Sequence, residues 1–181
     1  YPLDVEGEGD AISLAEARTR TFARRKIFIV STPTISGASA IEREYEASDQ
    51  RRYFVPCPHC NHPQWLRFEQ LRWDKGQPET AAYICESCDT AISEHHKTWM
   101  LERGEWRSMA QGKTAGFHLS SLYSPVGWRS WRDIAAAWEA AVNKESGSAA
   151  AIKTFKNTEL GETWVEEGEA PDWQRLVERR E

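Results

Sequence analysis

Four cysteines occur as two C-x-x-C pairs, Cys57-Pro58-His59-Cys60 and Cys85-Glu86-Ser87-Cys88, and they account for every cysteine in the chain. Each pair can present two thiolates from one tight turn. Two such turns that face each other make the four-sulfur tetrahedral cage that Zn2+ prefers. Because four thiolates leave no open coordination position for a water molecule, the expected site is structural and not catalytic.

The residues that flank the pairs support this interpretation. Asn61 and Asp89 each follow a pair directly, and both types tolerate the left-handed backbone conformation that such a turn needs there. An apolar, strand-like run precedes each pair, at residues 53–55 and 83–84. The pattern predicts a zinc ribbon, in which a metal ion joins two hairpins.

Other uses of these residues stay open. Disulfides are typical of secreted chains, and no basic-apolar-small signal segment follows Tyr1. A redox C-x-x-C site needs one pair at the start of a helix in a thioredoxin-like unit, whereas this chain has two equivalent pairs. Any of four nearby histidines could replace a cysteine as a ligand: His59, which we expect to point outward, His62, His95 and His96.

Composition limits the classes of function. The 181 residues carry a formal net charge of −5, which excludes a generally basic nucleic-acid coat, so any contact with DNA must be local. Hydrophobic residues make up 40% of the chain, enough for a folded core. No apolar stretch approaches the roughly 20 residues that span a bilayer, so we expect no membrane partner.

The first section of the chain predicts helix, strand, turn and helix. Asp10 can cap a helix over residues 11–22, and a second helix is predicted over residues 39–47. Between them, residues 27–30 form a continuous apolar run, which is typical of a strand buried on both faces of a parallel sheet. Because one buried strand cannot make a domain, we expect its neighbours, and hence more of the protein, outside this chain.

The last section predicts an extended stretch followed by helices. Residues 116–125 are the extended stretch. Ser130 and Asp133 have the spacing of a capping box at the start of a helix that runs to about Asn143. A second helix is predicted from Ser148 until Gly161 stops it.

Several stretches follow one another in a linked order along the chain: Val30-Ser31-Thr32-Pro33-Thr34, Ile41-Glu42-Arg43-Glu44-Tyr45, Asp49-Gln50-Arg51-Arg52-Tyr53, Val55-Pro56-Cys57-Pro58-His59-Cys60 and Phe155-Lys156-Asn157-Thr158-Glu159-Leu160-Gly161-Glu162. In these stretches the chain resembles the large terminase subunit of lambda-like tailed phages. The resemblance covers essentially the whole chain, which would be a central fragment of that subunit.

The resemblance implies an α/β fold in three parts. Residues 1–50 would be the C-terminal part of an ATPase domain with a P-loop parallel sheet, and residues 51–109 a small β zinc-ribbon module. Residues 110–181 would be an extended segment and a helical linker that leads to a nuclease domain.

The resemblance also implies a function for the parent protein, an ATP-driven motor that packages DNA and an endonuclease that cuts concatemers in the cytoplasm of a bacterial host. Its cofactors would be ATP and Mg2+ beside structural Zn2+. Its partners would be double-stranded DNA, the small terminase subunit, the portal and procapsid, and further copies of itself in the motor.

The chain alone is expected to be inactive as an ATPase and as a nuclease. Gly112-Lys113-Thr114 resembles the end of a phosphate-binding loop, but Arg107 stands where that loop needs its first glycine. No carboxylate cluster on adjacent strands stands out for two-metal cleavage either.

The resemblance gives Ser31, Thr32 and Thr34 a role as an ATP-coupling motif, because hydroxyl groups can bond both a catalytic carboxylate and the γ-phosphate region. The alternative is a strand-end turn in which Pro33 fixes φ. Arg25, or Arg24, is a candidate arginine finger for a neighbouring subunit's ATP site. The alternative there is a solvated basic approach to the strand.

The role of the zinc module itself has two interpretations. Its cations Arg67, Arg72 and Lys75 could contact phosphate, and Trp65 or Trp73 could stack on a base. Since the chain is acidic overall, we expect a scaffold. The alternative to the whole fragment hypothesis is a free-standing zinc-ribbon module that binds nucleic acid or protein and has no motor role.

Overall fold

The computed structural model describes residue 7 and residues 9–143 and 149–165. This part of the chain contains five α-helices: α1 (Ala11–Thr19), α2 (Ala40–Glu46), α3 (Lys97–Glu102), α4 (Trp131–Val142) and α5 (Ala149–Phe155). It also contains seven short strands: β1 (Arg51–Pro56), β2 (Pro63–Trp65), β3 (Leu71–Asp74), β4 (Gln77–Ile84), β5 (Ala91–Ile92), β6 (Glu105–Arg107) and β7 (Phe117–His118).

The strands form two sheets that are mostly antiparallel. In the first sheet β1 lies in the centre, with β2 and β6 antiparallel to it on its two edges and β7 added by a short parallel pairing. The second sheet is the antiparallel order β3-β4-β5. The fold is therefore mixed α/β with antiparallel sheets.

One hydrophobic core joins both sheets to the C-terminal helices. Val55 of β1 and Tyr83 of β4 are fully buried, as are Trp131 and Ile134 of α4. Cys57 and Cys85 belong to the same buried cluster. The predicted cysteine module is thus built into the main core and is not an appendage.

The buried strand predicted at residues 27–30 is not formed in the described structure. This segment is assigned to no strand, and Ile27, Phe28 and Val30 are 45%, 86% and 64% exposed. A strand that is buried on both faces needs helices over both faces of its sheet. The two sheets described above are built from residues 51–118 and do not include this segment.

The predicted helix starts are confirmed where side chains cap the helix, whereas α1 ends three residues before the predicted residue 22. The Asp10 carboxylate accepts from the Ser13 amide at 3.1 Å, and α1 then ends at Thr19. At α4 the capping box is complete, because the Ser130 hydroxyl accepts from the Asp133 amide at 3.0 Å and the Asp133 carboxylate accepts from the Ser130 amide at 3.1 Å.

The second C-terminal helix differs from its prediction in one detail. After α5 the chain continues as a π-helical turn at Lys156–Leu160, and Gly161 ends it in the left-handed conformation at φ 65°. Residues 144–148, which include the predicted helix start at Ser148, lie outside the described part of the chain, as do residues 166–181 at the end of the proposed linker.

The loop that carries Gly112-Lys113-Thr114 packs against the start of β1. The Asp49 amide donates to the Thr114 carbonyl at 3.0 Å, and the Gly116 amide donates to the Asp49 carboxylate at 3.0 Å. A Cβ atom on Gly112 would lie 2.4 Å from the Ser48 carbonyl carbon, so this close backbone contact requires glycine.

None of the helices in the described ranges has the length and hydrophobicity of a bilayer span.

Candidate metal centre

The two C-x-x-C pairs form equivalent turns at the ends of two hairpins. We call residues 57–62 the first knuckle, which connects β1 to β2, and residues 85–90 the second knuckle, which connects β4 to β5. In the first, the Cys57 amide donates to the His62 carbonyl and the Asn61 amide to the Cys57 carbonyl, both at 2.9 Å. The matching bonds of the second knuckle are both 3.1 Å long.

The predicted left-handed residues are confirmed in both knuckles. Asn61 has φ 62° and Asp89 has φ 53°. Each lies directly after its C-x-x-C pair and reverses the chain, so that the next strand can begin. The local sequence therefore determines how each pair of thiol groups is presented.

The four sulfur atoms come together as a cage. All four lie within 4.8 Å of one another, with 3.9 Å between the Sγ atoms of Cys57 and Cys88 and 3.7 Å between those of Cys60 and Cys85. A tetrahedral Zn2+ ion with bonds of about 2.3 Å separates its sulfur ligands by about 3.8 Å. The cage therefore has the size that a tetrathiolate metal ion needs.

Backbone amides are directed at the inner sulfur of each pair, which is the buried sulfur of its first cysteine. The His59 amide donates to Cys57 Sγ and the Ser87 amide donates to Cys85 Sγ, each at 3.4 Å. Hydrogen bonds to sulfur favour its thiolate form, which is the form that binds a metal. The same contact occurs at the same position in both knuckles.

Burial and hydrogen bonding act in opposite directions on the thiol groups. Burial raises the pKa of Cys57 and raises that of Cys85 to about 12. At the more accessible Cys88, hydrogen bonds with Thr90 lower the pKa to about 6. Because a metal binds the thiolate form, metal uptake at protonated thiol groups would release protons.

Polar side chains connect the two knuckles. The carboxylate of Glu86 pairs with Arg67 at 2.7 Å and with His62 at 3.1 Å. The buried side-chain oxygen of Gln64 accepts from the Glu86 amide at 3.0 Å. Sequence reasoning missed Gln64 and Glu86 in this role, although a glutamine inside an apolar strand is a visible signal.

The rings of three histidines contact one another in series. His59 is exposed, and its ring packs against that of His96 with centroids 5.7 Å apart. His95 and His96 stack on each other at 3.9 Å. Across the described ranges, the group of nearby ligand atoms suited to a metal consists of the four cysteine sulfurs.

The predicted ATP-coupling residues lie in a separate, irregular part of the chain. Ser31 and Thr32 are exposed, and so is Arg25. Thr34 holds this segment to the C-terminal part, because its carbonyl accepts from the Trp164 amide at 2.9 Å. The predicted roles of these residues in ATP coupling remain predictions.

Two of the proposed DNA-contacting residues have partners inside the fold. The Trp73 indole donates to Glu139 at 3.0 Å, and the Arg72 guanidinium donates to the backbone carbonyl of Glu69. These contacts give both side chains a structural role within the fold.

A buried ion pair that the sequence did not suggest lies near the second knuckle. Lys97 is 0% exposed, pairs with Glu94 at 2.5 Å and lies 5.2 Å from the Trp131 ring centroid. Burial lowers the pKa of Lys97. Since Glu94 also accepts from the Trp131 amide at 3.0 Å, the pair attaches the cysteine module to α4. A lysine three residues after a glutamate is common on exposed helices, so no sequence signal marked it.

Comparisons with known proteins find two family models in tandem. Residues 1–106 match the model described as phage terminase large subunit gpA, ATPase domain, and residues 114–181 match terminase large subunit gpA, endonuclease domain. No solved structure matches the chain.

The matches to two relatives extend over nearly the whole chain. The chain is 33% identical to the terminase large subunit of Enterobacteria phage P21 over 99% of its length, and 31% identical to that of Escherichia phage lambda over 98%. It spans 31% of the length of each relative. The resemblance noted in the sequence is therefore confirmed, and the chain belongs to the gpA family of phage terminase large subunits.

Proposed function

We propose that this chain is the central part of an ATP-driven DNA-packaging motor that also cuts concatemeric DNA. The observation that carries this function is the tandem order of an ATPase-domain match and an endonuclease-domain match within one chain. A free-standing zinc-ribbon module is not favoured, because the match to terminase large subunits extends over nearly the whole chain.

The proposed function brings the cofactors and partners of the family with it. The parent protein would use ATP and Mg2+ and act on double-stranded DNA in the cytoplasm of the bacterial host. It would assemble with further copies of itself, with the small terminase subunit and with the portal of the procapsid. The ATPase and nuclease activities belong to the parent, and the chain alone would have neither.

The cysteine cage is proposed to hold one structural Zn2+ through Cys57, Cys60, Cys85 and Cys88. The sulfur spacing and the amide bonds to the inner sulfurs support this assignment. Zinc bound there would supply folding free energy to the two hairpins and no chemistry on a substrate.

The exposed apolar segment at residues 27–30 is proposed to complete the parallel sheet of the parent's ATPase domain. Three of its four residues are exposed in the described structure, and a run of this composition is typical of a strand with sheet neighbours. In that position Ser31, Thr32 and Thr34 would lie at a strand end beside the ATP site, with Arg25 at the other end as a candidate arginine finger.

The test of this function uses the parent protein and the variant Thr32→Ala. We expect ATP binding to stay nearly intact, while hydrolysis slows or is no longer coupled to DNA movement, because the hydroxyl group would no longer sense the γ-phosphate. Thr98→Ala, at an exposed threonine of α3, is the control and should package DNA normally. A normal amount of DNA packaged per ATP by Thr32→Ala would exclude the coupling role.

A further inference from the structure

The register of the first sheet places arginines and aromatic rings together on the face away from the core. Arg52 lies directly opposite Arg107 of β6, and Phe54 lies opposite Trp65 of β2. Residues opposite each other share a face, and so do residues two apart on one strand. Val55, by contrast, points into the core and is fully buried.

Guanidinium groups cover the aromatic rings of this face. Arg52 lies 4.7 Å and Arg67 5.5 Å from the centroid of the Trp65 ring. Arg107 lies 4.8 Å from the centroid of the Phe54 ring. Such contacts fix the plane of a guanidinium and direct its N–H groups past the ring edge, where an anion can accept from them.

The arrangement of charges favours an added anion. Arg52 and Arg107 are like charges directly opposite in a sheet, which destabilises the pairing. The structure pairs Arg52 with the neutral side chain His118 and with aromatic rings. Two carboxylates pair directly with these arginines: Glu105 with Arg107 at 2.5 Å and Glu86 with Arg67 at 2.7 Å. A third, Glu162, interacts electrostatically with Arg52 without an ion pair to it. Exposed pairs of this kind contribute little, so phosphate can displace them.

We infer that this face, which we call the arginine face (Arg52, Arg67 and Arg107 with Phe54 and Trp65), binds the phosphate backbone of duplex DNA. The inference rests on the proposed DNA-packaging function and gives it a contact surface. Because guanidinium groups already cover the rings, bases have no open ring on which to stack. The face should therefore bind DNA without sequence preference and gain nothing from strand separation.

The test measures the salt dependence of binding between the chain and a labelled 30-base-pair duplex. Each phosphate contact contributes about 0.9 to the slope of log affinity against log salt concentration. Arg107→Ala and Arg52→Ala should each lower that slope by about 0.9, equally for duplexes of unrelated sequence. Arg103→Ala is the matched control, because Arg103 lies 4.7 Å from the Trp99 ring but belongs to α3's end and not to the sheet.

Two further measurements keep the outcome clear. Arg107 is an exposed residue, so Arg107→Ala should retain the melting temperature of the unmutated chain even if Arg52→Ala does not. Trp65→Leu should weaken duplex and single-stranded DNA binding alike, whereas a much larger loss for single strands would mean base stacking and overturn the inference. An unchanged slope for Arg107→Ala would also overturn it. Because binding is measured on the chain itself, this result is independent of whether the parent protein packages DNA.

Discussion

At the scale of single residues, His118 shows how the fold sets a protonation state. Its Nε2 atom donates to the Gly161 carbonyl at 3.0 Å, and its Nδ1 atom accepts from the Arg52 guanidinium. Burial and the nearby Arg52 charge lower the pKa of His118 to about 4. The neutral imidazole thus connects β7 to the turn that ends the π-helical segment. Protonation of the ring would place a second positive charge beside Arg52.

This low pKa predicts a loss of stability in mild acid. The folded-state pKa lies below the usual 6.5, so protonation favours the unfolded chain. The contribution of neutral His118 to the free energy of unfolding is fully present above about pH 6.5 and is lost as the pH falls towards about 4. The loss should be on the order of 2–3 kcal/mol, and denaturant unfolding at a series of pH values measures it.

The variant His118→Gln isolates this effect, because glutamine can both donate and accept and does not titrate. The difference in unfolding free energy between the unmutated chain and His118→Gln should shrink as the pH falls from 6.5 to 4. His95→Gln, at an exposed histidine, is the control. A difference that stays constant across this range would show that His118 does not titrate as described.

At the scale of elements, two hairpins meet at the cysteine cage. The second knuckle follows β4, the longest strand, and the first knuckle follows the central strand β1. In each knuckle the first cysteine, Cys57 or Cys85, is buried in the core, whereas Cys60 is exposed and Cys88 is half-buried. A shared metal ion would add a second connection between two sheets that already share one hydrophobic core.

Removing one thiolate should therefore remove the metal and the hairpins together. Cys85→Ser is expected to lose zinc and to unfold residues 51–109, because structural zinc supplies on the order of 10 kcal/mol of apparent folding free energy in small modules. Elemental analysis and circular dichroism measure the two losses. Ser87→Ala, in the same knuckle but not a ligand, should keep one zinc per chain.

The contrary result for the metal site is also clear. The unmutated chain, freshly reduced, could contain no zinc and form disulfide bonds between its cysteines. That result would mean that the cage serves another chemistry.

At the scale of the whole molecule, the segments that match the ATPase and nuclease families share one core. The Tyr123 hydroxyl accepts from the Leu66 amide at 2.6 Å and donates to the Tyr53 carbonyl at 2.7 Å. From α4, Glu139 accepts from the Trp73 indole at 3.0 Å, and the buried Trp131 ring packs 5.9 Å from that of Tyr83. The described parts of both segments should therefore unfold together.

Truncation of Trp131 tests this shared core. Trp131→Ala should lower the free energy of unfolding by about 3–5 kcal/mol, because a fully buried ring leaves a large cavity. Hydrogen exchange should accelerate in β4 and in α4 by the same factor. The control is Trp128→Ala, since Trp128 is 83% exposed and its loss should change neither rate. Faster exchange confined to α4 would show two independent units.

The sequence by itself determined the features that depend on near neighbours in the chain. The knuckles follow from the spacing of Cys57 and Cys60 and from the left-handed residue Asn61. The starts of α1 and α4 follow from Asp10 and Ser130, whose side chains bond backbone groups three residues away. The linked stretches that resembled terminases also needed no structure, and the family matches confirmed them.

Only the tertiary structure decided the features that depend on what lies across from a residue. The apolar run at residues 27–30 has the composition of a buried strand, yet burial needs a sheet around it, and the described chain leaves it exposed. Lys97 is buried and Arg52 lies opposite Arg107 because strands and helices distant in sequence meet there. Local pattern reports which conformation a segment prefers, whereas burial and charge depend on partners that the fold brings together.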